Sequence, residues 1–380
     1  MTDPIYLDHN ATTPVAPEVF AAMAPWLQAY FGNPSSSHTY GRRAAQAVAD
    51  ARAQVAGLIG ARPGEIVFTG CATEANNLAL LGVARALGPA GRHLVISAIE
   101  HPAVSAPAAA LRDQGWEVTV VGVDGDGQTC VAAVGQALRP DTALVSVMHA
   151  NNEVGTLQPI AEIAAITRAR GILLHTDAAQ SAGKLPVDVD ALGVDLLTLA
   201  GHKFNAPKGV GALYVRAGTP VRCVTHGADQ EQGLRPGTEN VALIVALGAA
   251  AELARAALPA LTTHLQALRD RLHGQLQAGV PGLRLNGHPD QRLPNTLHVS
   301  FPGVSGRSLL AATSDTVAAS VGSACHSEQD AVSGVLAAMG FDAERARGAV
   351  RLSVGRTTRA ADIDQAVEAL TGAWKRLAGP

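Results

Sequence analysis

One lysine follows an apolar segment at a position where an amine is suited to covalent chemistry. The segment LLTLAGHKFNAPKGVGALYV begins as an apolar, strand-like run, and His202 and Lys203 come directly after it, before a loop with proline and glycines. A lysine at a strand end beside other polar groups is a natural Schiff-base former with a carbonyl compound. The alternative is an ordinary solvated lysine, so the interpretation of Lys203 depends on other segments.

A carboxylate is predicted at the same edge of the sheet. In HTDAAQ, Asp177 follows the apolar run GILLH. An acidic partner keeps the pyridine nitrogen of pyridoxal phosphate protonated, which allows that ring to accept electrons when a bond at the substrate α-carbon breaks. The structural alternative is that Asp177 caps a following helix, with Gln180 on the surface of that helix.

Two further segments are suited to binding a phosphorylated aromatic cofactor. TGCATEANNLALLG places small residues, including Ala72, and Thr73 immediately before a predicted helix, whose free N–H groups and dipole favour a phosphate. An ordinary helix cap is the alternative. His101 follows the strand-like HLVISA, where it would stack on a cofactor or move protons, unless it is a structural histidine.

The C-terminal part of the chain supplies a thiol and a guanidinium. Cys325 lies in VGSACHSE, a Gly/Ser-rich stretch expected to be mobile and exposed, which suits a nucleophilic cysteine; Cys71 is a competitor. AVRLSVGRTT alternates as a strand and places Arg351 on its polar face. Arginine is suited to bidentate capture of a substrate carboxylate, although an exposed strand arginine is the alternative.

Composition restricts the class of protein. Of 380 residues, 47% are hydrophobic, 16% charged and only 3% aromatic, which is typical of a globular chain with an aliphatic core. The formal net charge of -3, without long Lys/Arg runs, argues against nucleic-acid binding and favours a small near-neutral or anionic substrate. Four cysteines without a CxxC pair favour reduced thiols over a disulfide framework or a metal site.

Neither a targeting segment nor a membrane span is predicted. The N-terminal residues lack a basic region followed by an apolar stretch, and apolar residues nowhere run uninterrupted for the ~20 residues that a span requires. We therefore expect a cytoplasmic protein.

The predicted elements form two units. Between Glu65 and Tyr214, apolar runs alternate with helical patterns, which indicates an α/β fold with a mostly parallel sheet that binds ligands at the carboxyl ends of its strands. After Asn240 a long helical stretch carries a stripe of leucines, and strands and a final helix follow. We predict a large cofactor-binding domain over residues 15–255 and a smaller α+β domain formed by residues 1–14 and 256–380.

Taken together, these segments resemble the NifS/IscS-like cysteine desulfurases and selenocysteine lyases of the class V aminotransferase group, which have the type I PLP-dependent transferase fold. The resemblance runs from YLDHNATTP to RLSVGRTT. Its ordered motifs are FGNPSSSH, EHPAV, NNEVG, HTDAAQ, HKFNAPKGVGALYV, RPGTENV and GSACHSE.

The resemblance implies that pyridoxal 5'-phosphate is the cofactor and assigns its contacts. Lys203 binds it covalently, Asp177 contacts the ring nitrogen, Gln180 the ring hydroxyl and His101 the ring face. The remaining cofactor contacts are carried over to Ala72, Thr73, Asn152, His202 and Thr238. Of these, Thr73 and His202 bind the phosphate, and Thr238 does so from a partner subunit, so a homodimer is implied.

The same resemblance implies the reaction. Asn33, Asn152 and Arg351 match positions that hold the carboxylate of an amino-acid substrate, and Cys325 matches the thiol that receives sulfur as a persulfide. The predicted activity is a cysteine desulfurase of sulfur metabolism and iron-sulfur cluster assembly, with a sulfur-acceptor protein as a further partner. A selenocysteine lyase is the close alternative, and an ordinary aminotransferase or a catalytically silent binding protein the more distant ones.

Three positions depart from the family pattern. Ala200 replaces a frequent serine that binds phosphate, Cys71 replaces a usual glycine, and Asn10 stands where alanine is usual. The first two concern the predicted phosphate site.

Overall fold

The computed structural model describes residues 3–88, 91–322 and 333–379. Its strands are β1 (Ile5–Tyr6), β2 (Ile66–Thr69), β3 (His93–Ser97), β4 (Glu117–Val121), β5 (Thr142–Ser146), β6 (Leu173–Asp177), β7 (Leu196–Ala200), β8 (Gly211–Val215), β9 (Arg284–Leu285), β10 (Thr296–Ser300), β11 (Val317–Ala318) and β12 (Ala349–Ser353). Its α-helices are α1 (Pro17–Gln28), α2 (Thr39–Leu58), α3 (Ala72–Leu87), α4 (Pro102–Asp113), α5 (Val131–Ala137), α6 (Ile160–Arg168), α7 (Val189–Leu192), α8 (Val241–Gly279), α9 (Gly306–Ala311), α10 (Gly334–Ala338), α11 (Ala343–Arg347) and α12 (Ala360–Ala378).

A seven-stranded sheet with the order β2-β8-β7-β6-β5-β3-β4 forms the main layer. The pairs from β7 to β4 are all parallel, whereas β8 runs antiparallel to both of its neighbours. The strands β3, β5 and β7 are buried along their whole length. Since helices cover both faces of such a sheet, near-continuous apolar strands are expected.

A smaller layer is built from the C-terminal third and the N-terminal segment. The antiparallel strands β12, β10 and β9 form one sheet, and β1 pairs in parallel with β11. Isolated bridges from Asp8 to Ser353 and from Ser320 to Arg351 connect these pieces. The N-terminal segment therefore pairs with strands of the C-terminal part of the chain.

Helix α8 links the two layers. Its N-cap residue is Asn240, whose side chain accepts a hydrogen bond from Leu243 N, and the helix then runs for 39 residues. Its first turns pack in the core beside the large sheet, and the predicted leucine stripe packs in the core of the smaller layer. By length and composition α8 is apolar enough to cross a membrane, but half of its most apolar window is buried inside the fold. It also packs against α1, α2 and α12, which is the setting of a core helix.

The predicted fold class is confirmed: the protein is an α/β fold with a mostly parallel central sheet and a smaller α+β part. The antiparallel orientation of β8 was not predicted, because an apolar sequence pattern does not indicate in which direction a strand runs relative to its neighbours. The proposed division at residues 14 and 255 remains a prediction from the sequence.

Candidate functional site

A cavity of about 390 Å³ opens at the carboxyl ends of β3, β5, β6 and β7. This is where ligands bind in open α/β sheets. The sequence-predicted residues that line it are Ala72, Thr73, His101, Asn152, Asp177, Gln180, His202, Lys203 and Arg351. The fold therefore brings most of the predicted site into one pocket.

Lys203 lies in a short 3₁₀ turn, Gly201–Lys203, directly after β7. Its Nζ donates hydrogen bonds to the backbone oxygens of Asn10 and Ala11, the latter at 2.9 Å. The turn thus directs the amine across the cavity toward the N-terminal segment. A primary amine held in a pocket by backbone carbonyls is available for Schiff-base chemistry.

Asp177 is the last residue of β6 and is only 6% exposed. Its Oδ2 accepts a hydrogen bond from Asn76 Nδ2 at 2.7 Å, and its Oδ1 accepts one from Ala179 N at 2.9 Å. The alternative of a helix cap is wrong, because the chain makes turns after Asp177 and the next helix begins at Val189. Gln180 is correspondingly buried and not on a helix surface.

The N-terminus of α3 faces the same cavity. The helix begins at Ala72 with Cys71 as its N-cap, so Thr73 lies in the first turn and not before the helix, which corrects the predicted boundary. Cys71 makes no side-chain capping hydrogen bond, which leaves the first turn able to receive an anion. A Cβ on Gly211 would lie 2.9 Å from the carbonyl carbon of Cys71, so only glycine allows β8 to approach this terminus.

Two histidines border the cavity, and burial lowers the pKa of each. His101 caps α4, and its Nδ1 accepts a hydrogen bond from Ala103 N at 3.1 Å. Burial, and secondarily Lys203, lower the His101 pKa, while Asp177 opposes them. His202 Nδ1 lies 3.1 Å from Thr12 Oγ1, and burial with nearby lysines lowers the His202 pKa to about 4.

Arg351 in β12 is 3% exposed, so the alternative of a solvated strand arginine is wrong. It donates to Asn152 O at 2.8 Å and pairs with Asp8 at 2.7 Å. Within the described residues, its Nε is buried and has no hydrogen-bond partner. Arg351 lines the cavity, and a guanidinium at this position is suited to binding a carboxylate.

Three predicted site residues are not seen in this pocket. Asn33 and Thr238 are exposed and do not line the cavity of their own chain. Cys325 lies outside the described residues, so its placement stays a prediction. Its competitor Cys71 is exposed and lines the cavity.

Sequence reasoning missed one residue that lines the pocket, Glu100, and two that lie behind the predicted site residues, Lys184 and Asn76. Burial raises the pKa of Glu100 to about 8, and its Oε2 is inaccessible and without a partner in the described part of the chain. Lys184 is a buried lysine near Lys203, and Asn76 supports Asp177. Glu100 could have been found from the sequence, because it directly precedes the predicted site residue His101 in EHPAV. Lys184 could not, because its segment GKLP has the pattern of an ordinary loop.

The donor set fits pyridoxal 5'-phosphate. An amine for its aldehyde, a carboxylate for its ring nitrogen, and a helix N-terminus with a hydroxyl for its phosphate line one cavity, at Lys203, Asp177 and Thr73 respectively. These are the three chemically distinct anchors that the cofactor requires. Ala200, where a hydroxyl is frequent in the family, also lines the cavity and adds no donor.

Comparison with known proteins agrees with this chemistry. The chain is 44% identical over 374 residues to the cysteine desulfurase IscS of Dictyoglomus turgidum, which covers 98% of this chain and 95% of that relative. A solved NifS-like protein superposes with a TM-score of 0.91 at 36% identity, covering 98% and 99% of the two chains. A structure of SspA in complex with cysteine gives a TM-score of 0.82 at 37% identity, covering 93% and 99%.

A family model for class-V aminotransferases matches residues 5–366, which is nearly the whole chain. This match includes every strand of both layers and every residue placed in the cavity. The chain therefore belongs to the class-V aminotransferase family.

Proposed function

We propose that the protein is a PLP-dependent cysteine desulfurase that converts L-cysteine to L-alanine and holds the released sulfur as a persulfide on Cys325. The observation that carries this proposal is the convergence of Lys203, Asp177 and the α3 N-terminus on one cavity, which also contains the buried guanidinium of Arg351. Named cysteine desulfurases cover nearly the whole chain, which supports the same reaction.

Each part of the cofactor would be bound by different residues of the chain. Lys203 would hold the cofactor covalently, Asp177 would keep its ring nitrogen protonated, and Thr73, Ala72 and His202 would contact its phosphate. When bound, the cofactor supplies an electron sink for the bonds at the substrate α-carbon. His101 would cover the ring face as a neutral imidazole, consistent with its lowered pKa.

Substrate binding would use the inner end of β12. Arg351 is held from two sides by Asp8 and Asn152, which orients the guanidinium toward the cavity. A substrate carboxylate bound by the Arg351 guanidinium would lie in the same cavity as Lys203. Once displaced by the substrate amine, Lys203 Nζ would take the α-proton.

Sulfur transfer would need the thiolate of Cys325. Its Sγ attacks the substrate sulfur, an S–S bond forms as the substrate Cβ–S bond breaks, and the electron pair passes to Cβ. Protonation of Cβ then gives the methyl group of alanine, and the persulfide remains on the enzyme for a sulfur-acceptor protein. The complex of the related SspA with cysteine favours sulfur over selenium as the substrate atom.

A homodimer in the cytoplasm is part of this proposal. Phe20, Leu27, Phe31 and Tyr40 are each more than half exposed around α1 and the start of α2. A concentration of exposed apolar side chains is typical of a protein interface. The exposed Thr238 would reach the phosphate of the partner's site. Sedimentation of a species with the mass of one chain at micromolar concentration would contradict the dimer.

The function is tested by two variants of the purified enzyme. We expect visible cofactor absorbance in the wild type, loss of the covalently bound cofactor in Lys203→Ala, and no sulfide release by Cys325→Ala although its cofactor stays bound. Alanine formation without a 2-oxo acid separates this reaction from transamination. A wild type that stays colourless after reconstitution, or a Cys325→Ala variant with unchanged desulfuration, would contradict the proposal.

Comparing cysteine with selenocysteine decides the substrate. If kcat/KM for selenocysteine exceeds that for cysteine by orders of magnitude and cysteine turnover is negligible, the enzyme is a selenocysteine lyase instead.

A further inference from the structure

Lys184 is a buried lysine that the reaction outlined above does not use. It is 5% exposed and follows β6 in the turn that also carries Gln180. Its backbone is fixed on both sides, because Lys184 N donates to Ser181 O at 3.0 Å and Lys184 O accepts from Thr262 Oγ1 at 2.8 Å. The side chain is therefore directed into the protein and does not reach solvent.

The surroundings of Lys184 oppose a positive charge. Burial, followed by the charges of Lys203 and Arg351, lowers its pKa to about 7. Lys184 in turn contributes to the lowered pKa values of His9 and His202. A lysine buried among cations costs folding free energy, so an apolar side chain of similar length would be more stable at this position.

The side-chain contacts of Lys184 are to two amide oxygens. Nζ donates to Gln180 Oε1 at 3.2 Å and lies 3.5 Å from Asn10 Oδ1. Below its pKa of about 7, Lys184 is protonated and has three donors and no acceptor, so the Gln180 atom that faces it must be the oxygen. The Gln180 nitrogen consequently faces the opposite way, where Nε2 donates to Asn10 O at 3.1 Å.

That opposite side is the site of the covalent chemistry. Asn10 O accepts from both Gln180 Nε2 and Lys203 Nζ, so the two donors converge on one carbonyl. Asn10 itself is anchored by hydrogen bonds to Asn295 and Thr296 of the smaller layer. The unusual Asn10 and the buried Lys184 thus belong to one hydrogen-bonded unit around Gln180.

We propose that Lys184 is a positioning residue that fixes the amide orientation of Gln180, so that Gln180 presents N–H and not C=O to the cofactor held by Lys203. This inference rests on the proposed function. The two ends of a glutamine amide have nearly the same shape, so shape alone does not select one orientation. A carbonyl turned toward the ring oxygen would repel it, whereas an N–H donor stabilises it.

The test compares Lys184→Met with Lys375→Met in the reconstituted enzyme. Lys375 is exposed on α12 and does not line the cavity, so its variant makes the same chemical change away from the Gln180 unit. For Lys184→Met we expect the apoenzyme to bind pyridoxal 5'-phosphate about tenfold more weakly, which corresponds to one lost charge-assisted hydrogen bond. The pH midpoint of the cofactor absorbance should also shift, and Lys375→Met should match the wild type in both measurements.

Thermal unfolding of the apoenzyme separates positioning from a structural role. Because Lys184→Met removes a buried charge, we expect the melting temperature of this variant to equal or exceed that of the wild type. If Lys184→Met does not fold, Lys184→Gln is measured in its place, with weaker cofactor binding again expected. Wild-type affinity and an unchanged absorbance midpoint in the folded variant would overturn the inference.

A double-mutant comparison shows whether Lys184 acts through Gln180. In a Gln180→Ala background, Lys184→Met should weaken cofactor binding by less than about twofold, because the amide that it positions is absent. An undiminished tenfold effect in that background would overturn the proposal. If the wild type binds no cofactor at all, the proposed function fails, and this outcome is distinct from a failure of the positioning role.

Discussion

The two titratable residues of strand β6, His175 and Asp177, are two positions apart and have opposite surroundings. His175 lies inside the sheet, with Nδ1 2.8 Å from Ser146 Oγ and Nε2 3.1 Å from Thr198 Oγ1. Burial lowers the His175 pKa to about 3, so the ring is neutral and both of its nitrogens are satisfied by neighbouring strands. Asp177 ends the strand at the cavity, where it faces Asn76 and a ligand site.

The same contrast separates the histidines of the sheet interior from those at its edge. His93 is bonded through both ring nitrogens, to Thr142 and Thr119. At the edge, the hydrogen bonds among the described residues use only Nδ1 of His101 and of His202. His175 and His93 therefore have no ring nitrogen left for a ligand, whereas His101 and His202 each keep Nε2 without a partner among the described residues. Burial and a lowered pKa alone do not distinguish a histidine of the sheet interior from one at the cavity.

The largest expected effect is a loss of activity on changing Asp177, at the cavity edge of the sheet. In Asp177→Asn, the carboxylate that would keep the ring nitrogen of the cofactor protonated is lost, and we expect kcat to fall by roughly a factor of 10² or more. The fold should persist, because Asn76 Oδ1 is buried without a partner among the described residues and a flipped Asn76 amide can accept from the new amide. Steady-state alanine production checks the activity, and circular dichroism checks the fold. Near wild-type turnover would show that Asp177 belongs with the interior group.

The interior is expected to respond in stability. His175→Ala removes the partner of two buried hydroxyls, Ser146 and Thr198, and leaves a void, so we expect the free energy of unfolding to fall by roughly 2–4 kcal/mol. Denaturant titration of the apoenzyme measures this. Turnover per folded molecule should be close to that of the wild type. If His175→Ala lost less than about 0.5 kcal/mol of unfolding free energy but most of its kcat, His175 would behave as a site residue, which would contradict the distinction between interior and edge residues.

The smallest effect concerns Glu100, whose pKa is raised from 4.5 to about 8 by burial. Between these values the folded protein binds more protons than the unfolded chain, so the free energy of unfolding decreases as pH rises through this window. Glu100→Gln keeps the acceptor for Ser97 and Met148 and cannot ionise. We expect this variant to gain roughly 1–3 kcal/mol over the wild type on going from pH 5 to pH 8.

Denaturant titrations of the two apoenzymes at both pH values test this expectation. The Glu162→Gln variant is the matched control, because it makes the same substitution at an exposed carboxyl and leaves Glu100 in place. Parallel pH dependences for the wild type and Glu100→Gln would mean that the carboxyl is ionised and solvated, as an ordinary surface glutamate is.

Much of the fold and of the site was predictable from local patterns. The apolar runs located the strands from β2 to β8, and the polar residues that end them located Asp177, His101 and Lys203. The predicted start of α3 was too late. Its N-cap is Cys71, which is not a typical capping residue and forms no side-chain capping hydrogen bond, so the sequence carries no signal for a helix start there. The order of the motifs was sufficient to indicate the family and the cofactor.

By itself, then, the sequence determined the type of chemistry, because strand ends and reactive side chains are adjacent in the chain. Only the tertiary structure decided which polar groups are buried, unpaired or repelled. Arg351 is buried against Asp8, and Lys184 lies beside Asn10 and near the charges of Lys203 and Arg351, through segments that are separated in sequence. The orientation and protonation of a group depend on such distant neighbours and on the water that they exclude, and no local pattern encodes them.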